Sequence, residues 1–431
     1  MNTRTRLVIA LGAAMWMVPM TRAVAGIDVN AGDWKIDFSG NVNAFYVGAG
    51  CDSSANDAVV GGLACTGDHA ASVRNGLLPA ALVFSATTRQ DDFDIDVTVG
   101  LYPGINSSAA AGVNGPGQPS ALATPGIDAR QVYFTFGDAS WGTVKMGRDI
   151  GLFGKDAILD DMTLLGVGST GGNSAPGNTS LGRIGIGYIY TDWEPQITYT
   201  SANYNGFTVS AGIFQPLDAG GAAAGAVLPG QAADAAYRSH NAPQVQVGVG
   251  YAWGDPKATD TLSGKVWVDA VSQQAKASKT DIAANQAGAA TKFTGTAVDG
   301  GAKLDIAGFE AVLYGYTGKG VGTTGLYILP TSSSGEKRKS DGGYLQATYK
   351  INRLKLGLSY GLSELKLADD ERPFQAQADL VKRNSSGVAG VYFSLTKSVT
   401  LVGEYIHTKA EAWNGNSASE NDVAIGGILF F

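Results

Sequence analysis

Three arginines, Arg130, Arg148 and Arg183, and four aspartates, Asp149, Asp156, Asp160 and Asp161, gather around one polar, glycine-spotted excursion from Ile150 to Leu181. Arg148 stands just before the excursion and Arg183 just after it. Opposite charges set across a narrow passage can sort ions and dipolar solutes electrostatically, with no bond made or broken. A connection this long is uncommon in a compact unit unless it serves a function. Reaction chemistry finds no comparable grouping. The three histidines, His69, His240 and His407, lie far apart and in or near loops. Neither a nucleophile–base set nor a metal site can be assembled from them, so no catalytic residue, metal or cofactor is expected. Gly320, Gly322 and Gly325 match a dinucleotide-binding spacing, but no amphipathic helix follows, and a loop is expected there.

For these charges to meet, the flanking segments must hold them in a common wall. Their pattern is that of β-strands. From Trp34 to Val47, Ile36, Phe38, Val42, Ala44 and Tyr46 alternate with Lys35, Asp37, Ser39, Asn41 and Asn43. The same period recurs at Val245, Val247, Val249 and Tyr251, at Leu354, Leu356, Leu358 and Tyr360, and in the last strand at Val423, Ile425 and Leu429. Sixteen strands are expected, among them 77–88, 127–136, 142–148, 184–201, 263–273, 297–306 and 422–431, with 184–201 either one strand interrupted at Trp193-Glu-Pro195 or an inner-loop strand over 184–190 followed by the stave over 196–201. Long connections (48–76, 103–126, 149–183 and onward) alternate with short turns throughout. An even number of antiparallel strands with loop lengths segregated this way reads as an all-β, membrane-spanning, 16-stranded barrel. Its apolar set would face lipid and its Asp, Asn, Gln, Ser and Lys set a wet lumen, with residues 149–183 folded inward between the arginines. Trp34, Tyr46, Tyr102, Trp253, Tyr349, Tyr392, Phe393, Tyr405 and Phe430 sit near strand ends, as interface girdles require.

The first 25 residues carry Arg4 and Arg6, an apolar run from Leu7 to Met20, and Ala23-Val24-Ala25 before Gly26. This predicts an export signal over 1–25 and a single barrel domain over 26–431. Without Arg4, Arg6 and Arg22 the formal net charge of −7 becomes −10. So acidic a chain is no nucleic-acid binder, because phosphate recognition needs a basic footprint. Cys51 and Cys65, 14 positions apart in a polar loop of an exported chain, are expected to form a disulfide.

Ala129-Arg-Gln-Val-Tyr-Phe, followed by Gly142-Thr-Val-Lys-Met-Gly-Arg148, resembles the general diffusion porins of Gram-negative bacteria. Asn352-Arg-Leu-Lys-Leu-Gly-Leu-Ser-Tyr-Gly and the stretch from Leu395 to Glu411 agree, as does the ending Ala424-Ile-Gly-Gly-Ile-Leu-Phe-Phe431. The resemblance implies a homotrimeric outer-membrane pore for small hydrophilic solutes and ions, surrounded by lipid and lipopolysaccharide. It further implies insertion by the barrel assembly machinery, with Phe431 as the assembly signal. Arg130, Arg148 and Arg183 would be the basic wall, and Asp149, Asp156, Asp160 and Asp161 the loop acids. The second strand lacks the arginine often found there, which leaves Arg74 or Arg89 as substitutes. A substrate-selective channel, and beyond it a non-conducting adhesin or structural barrel, are the alternatives.

Overall fold

The computed structural model describes residues 26–52, 59–105, 127–173, 178–220, 236–256, 261–283 and 290–431. The expected signal over 1–25 lies outside the described residues. In chain order the strands are β1 (Ile27–Ala31), β2 (Trp34–Gly50), β3 (Ala70–Arg74), β4 (Ala81–Gln90), β5 (Phe93–Pro103) and β6 (Ile127–Asp138). Next come β7 (Gly142–Ile150), β8 (Trp193–Ser201), β9 (Phe207–Phe214), β10 (Gln244–Trp253), β11 (Ser263–Lys276) and β12 (Lys292–Ile306). The last six are β13 (Phe309–Lys319), β14 (Lys339–Ile351), β15 (Leu354–Lys366), β16 (Val381–Ser394), β17 (Val399–Ala412) and β18 (Ser417–Phe430).

Consecutive strands pair antiparallel, and β18 returns to β2, so the sheet closes into a barrel of 16 staves. The seam extends to the last residue: Gly40 donates to the Phe431 carbonyl at 2.8 Å and Phe431 donates back at 3.0 Å. β3 and β4 are two halves of one stave, since both pair with β2, while β1 is a short arm on the start of β2.

Side-chain alternation gives the barrel its two faces. On β10, Val245, Val247 and Val249 are 44%, 44% and 41% exposed, whereas Gln244 and Gln246 are fully buried. The apolar set therefore points outward, toward lipid, as a membrane barrel requires.

Three expectations need correction. The strand expected over 77–88 begins only at Ala81, and Ala70–Arg74, expected in the long loop, form the other half of its stave, with a break between them. Pro79 has no N–H for the ladder, and Asn43 fills the break: it donates to the Leu78 carbonyl at 2.8 Å and accepts from the Gly76 N–H at 3.0 Å. The strand expected over 184–201 begins only at Trp193. Residues 184–190 form turns and isolated bridges, because Gly182, Gly185 and Gly187 take φ of 56°, 74° and 145° and interrupt any ladder. Finally, the inward face is not uniformly polar. Trp267, Val271, Tyr314, Tyr316 and Tyr344 alternate onto it and are buried against Phe153, Ile158, Ile184, Tyr188 and Ile189 from between β7 and β8.

Leu345 tests the facing. It lies midway along β14, 60% exposed, beside Leu313 and Tyr360 on the neighbouring staves. Leu345→Arg should lower barrel stability in lipid vesicles by about 2–4 kcal/mol if it stands near mid-bilayer depth. Urea titration of the folded barrel measures this, and an unchanged midpoint would mean that Leu345 does not face lipid.

Candidate functional site

Between β7 and β8 the described residues of 151–192 contribute no stave, and their backbone must find hydrogen-bond partners elsewhere. Helix α1 (Lys155–Leu159) and a 3-10 turn (Met162–Leu165) satisfy part of it. The Asp161 side chain caps that turn, accepting from Thr163 N at 2.9 Å. The remainder is fastened to inward-pointing side chains of the barrel. Gln246 on β10 accepts from the N–H groups of Leu152 and Phe153 at 2.6 and 2.9 Å. Asp299 on β12 accepts from Gly154 at 2.6 Å, and Gln346 on β14 from Met162 at 2.7 Å. Ser363 on β15 accepts from Gly187 at 3.0 Å. Glu404 on β17 takes both Val167 and Gly168, at 2.8 and 2.9 Å, and Glu420 on β18 takes Gly172 at 2.8 Å. The segment is also stitched to the broken stave: Leu77 donates to Gly166 O and Ser180 donates to Gly76 O, both at 2.9 Å.

Burial adds to these bonds. Each large apolar side chain taken out of water contributes roughly 1.5–3 kcal/mol, against about 1 kcal/mol net for an ordinary hydrogen bond. Phe153, Ile158, Ile184, Tyr188 and Ile189 thus supply a share of the holding force comparable with that of the bonds. The wall acceptors set the register.

The structure brings Asp156 and Asp160 together, but with lysines rather than arginines. Lys265 on β11 lies 2.5 Å from Asp156 and 2.9 Å from Asp160, and Lys303 on β12 lies 3.5 Å from Asp160 and 2.8 Å from Glu310. Burial pushes the Asp160 and Asp161 carboxyls above the usual carboxylate range. At Asp156 burial acts in the same direction, but the Lys155 and Lys265 charges overcome it and hold that carboxyl below the range.

The other expected residues lie elsewhere. Asp161 accepts from the Tyr188 hydroxyl at 2.9 Å and serves the segment's own packing. Arg183 belongs to the connecting segment and not to the wall. It is fully buried, with Nε 2.6 Å from Ser359 Oγ on β15 and a terminal nitrogen donating to Ser386 O on β16 at 3.0 Å, and burial lowers its pKa. Asp149 is a stave residue, because β7 runs to Ile150. It pairs with Lys145 and accepts from Gln131 Nε2 at 3.1 Å. Arg148 is in register with Val132 and Pro195, which are on the outward face, so it is not brought to the loop acids. Arg130 is the extra residue of a β-bulge, left between Gln131 and Ala129 where they pair with Gly100 and Leu101. Its Nε donates to Asp128 at 2.8 Å, and its guanidinium lies 5.4 Å from the Tyr102 ring centre and 6.0 Å from that of Trp193. Of the two substitutes on the second strand, Arg74 is buried and donates to Thr179 O at 2.7 Å, whereas Arg89 pairs with Asp94 and Asp138 at the opposite end.

Lys265, Lys303 and the acceptors Gln246, Asp299, Gln346, Glu404 and Glu420 were missed as site residues. A signal for them exists: each occupies the polar parity of an alternating strand, as Lys265, Asp269 and Gln273 do opposite Val266 and Val268. Parity alone cannot say which of many such residues meets the crossing segment.

The Cys51–Cys65 disulfide is formed, closing the first long loop beside Gly172.

A family profile described as Gram-negative porin matches residues 23–412. Among solved structures, the outer-membrane channel DcaP of Acinetobacter baumannii aligns with a TM-score of 0.66 at 15% identity, over 94% of this chain and 100% of that one. An anion-selective porin from Comamonas acidovorans aligns with a TM-score of 0.56 at 13% identity, over 92% and 100%. OmpT of Vibrio cholerae, in its trimer form, aligns with a TM-score of 0.53 at 13% identity, over 92% and 99%. These likenesses concern the fold. Compared by sequence with curated proteins, the chain matches none.

The lysine–aspartate contacts generate a test. Asp160→Asn, Lys265→Met and the double variant, unfolded by urea in vesicles, should give a coupling energy of about 0.5–3 kcal/mol. Strict additivity would show that the pair contributes nothing to holding the segment.

Proposed function

Because this chain belongs to the Gram-negative porin family and is an outer-membrane channel for passive diffusion, we propose that residues 151–192 form its constriction. The observation that carries this reading is the row of backbone N–H groups bonded to side chains on the inward faces of six staves, β10, β12, β14, β15, β17 and β18. A segment held that way lies across the lumen and narrows it. Small hydrophilic solutes and ions then pass beside it, between the segment and the wall of β4 to β7.

The charges that act on them are Asp156 and Asp160 on the segment, Lys265 and Lys303 on the wall beneath it, and Lys145, Asp149 and Arg130 on the facing wall. Local balance at this level governs ion preference. Charges in the external loops are screened beyond about 8 Å at physiological salt. The expected partition of a purely arginine wall against loop acids becomes, in this reading, a lysine wall. Arg183 acts as an anchor and Arg148 stays on the outer face.

The remaining assignments belong to the same proposal. Residues 1–25 direct export, the barrel assembles as a homotrimer, and Phe431, paired with Gly40 at the closing seam, serves as the assembly signal. Lipopolysaccharide and outer-membrane lipid surround it, and the barrel assembly machinery inserts it.

Single-channel recording under a salt gradient tests the constriction. Lys265→Ser with Lys303→Ser should shift the reversal potential toward cations. Asp156→Asn with Asp160→Asn should shift it toward anions, and deleting residues 156–176 should raise conductance. If both charge pairs leave the reversal potential where it was, the narrowest level lies elsewhere. For the assembly, crosslinking in intact membranes should yield a trimer, and only monomers would count against it.

A further inference from the structure

The tip of the crossing segment, Thr170 to Asn173, is held by a different device from the rest of it. Glu420 on β18 is fully buried and uses its two carboxylate oxygens for two different loops. Oε1 accepts from Gly172 N at 2.8 Å, and Oε2 accepts from Cys65 N at 2.9 Å. One carboxylate therefore joins the crossing segment to the disulfide-closed first loop. Thr170 Oγ lies 2.8 Å from Oε1 of Glu420 and 2.9 Å from Oδ2 of Asp422, which draws the tip further onto β18.

The disulfide itself touches the tip. Gly172 has φ +65°, and a Cβ built on it would stand 2.4 Å from Cys65 Cβ and 3.0 Å from Cys65 Sγ. Only glycine permits both that backbone conformation and that approach. Asn173 completes the hold, with its Nδ2 3.4 Å from Val47 O and 3.3 Å from Ala70 O, and its Oδ1 accepting from Ser72 at 2.8 Å.

The first loop is tied down on its far side as well. Leu63 N donates to Asn384 Oδ1 at 3.1 Å, Asn384 Nδ2 donates to Gly61 O at 3.1 Å, and Val60 exchanges backbone bonds of 2.8 Å with Asp379 and Val381. The bridge thus presses on the tip from a loop that is itself anchored to the barrel. A bridge that only protected an exposed loop from proteolysis would not need this contact.

We infer that the Cys51–Cys65 bridge and Glu420 form a clasp that positions the tip of the crossing segment and so sets the aperture of the pore. This rests on residues 151–192 being the constriction. Cys51, Cys65 and Glu420 are positioning residues: they act on solutes only through where Thr170 to Asn173 stand. With the bridge open, the first loop relaxes, Gly172 loses the surface it packs on, and Glu420 keeps only one of its two loop partners in place. The tip then samples positions off β18 and further into the lumen.

The test uses full-length barrels purified from membranes and inserted in planar bilayers. Cys51→Ser with Cys65→Ser, and separately Glu420→Ala, should lower mean single-channel conductance and raise open-channel noise while leaving the crosslinked trimer intact. Glu420→Gln, which retains one carbonyl acceptor for one of the two N–H groups, should fall between Glu420→Ala and the natural protein. Reduction of the folded wild type by a water-soluble phosphine converts the bridge to two thiols, with the phosphine oxidised and water supplying the oxygen and both hydrogens. It should bring conductance to the double-serine level and leave the double-serine variant unmoved. Thiol alkylation and mass measurement report how much bridge was opened. The clasp is overturned if the double-serine and Glu420→Ala barrels keep wild-type conductance, noise and reversal potential. If that happens while the Lys265/Lys303 and Asp156/Asp160 exchanges still move the reversal potential, only the clasp falls. If those exchanges are silent too, the constriction itself is misplaced.

Discussion

Inside a hydrocarbon layer a peptide N–H or C=O has no water to bond, and each one left unpaired costs several kcal/mol. Every other feature of this barrel is arranged around that constraint. It is why the ladder from β2 to β18 closes on itself and why the last residue still pairs with Gly40. It also explains why the stave that breaks between Arg74 and Ala81 does so over a side chain, Asn43, able to bond the interrupted backbone. The period-two sequence follows from closure: once the backbone is satisfied sideways, successive side chains have only lipid or lumen to face.

The same accounting applies, in another form, to the segment between β7 and β8. Irregular backbone is tolerated at membrane depth where protein or a water-filled cavity surrounds it. Here the barrel's inward side chains do the pairing that neighbouring strands do elsewhere, with Gln246, Asp299, Gln346, Glu404 and Glu420 each accepting from backbone N–H groups. Carboxylates suit this use, since a bond to a charged acceptor contributes about 1.5–3 kcal/mol, above the neutral average. Asp299, Glu404 and Glu420 are therefore fasteners, and a count of lumen charges would misread them as a field acting on solutes.

Charge that is free to act on solutes is what remains after fastening. Asp156 and Asp160 pair with Lys265 and Lys303 rather than opposing distant arginines, so the electrostatic contrast at this level is between closely spaced partners. Partly buried pairs of this kind contribute little net stability, because desolvation offsets their attraction. Their consequence lies in placement. They tie α1 to β11 and β12.

Much of this was legible in the chain itself. Sixteen staves, their outward apolar faces and the bridged cysteines all follow from period, turn spacing and composition, which are local properties. Residue partners were not legible. Arg148 and Lys265 both stand in strands near the site, yet one faces outward and the other inward, because register shifts of a single residue invert a side chain. The bulge that sets Arg130 out of the ladder is such a shift, and it, the break before Ala81 and the delayed start of β8 at Trp193 are made by pairings between distant parts of the chain. Only the closed tertiary structure decides them, since a stave's register is set by both neighbours at once and the crossing segment's course by the many staves it touches.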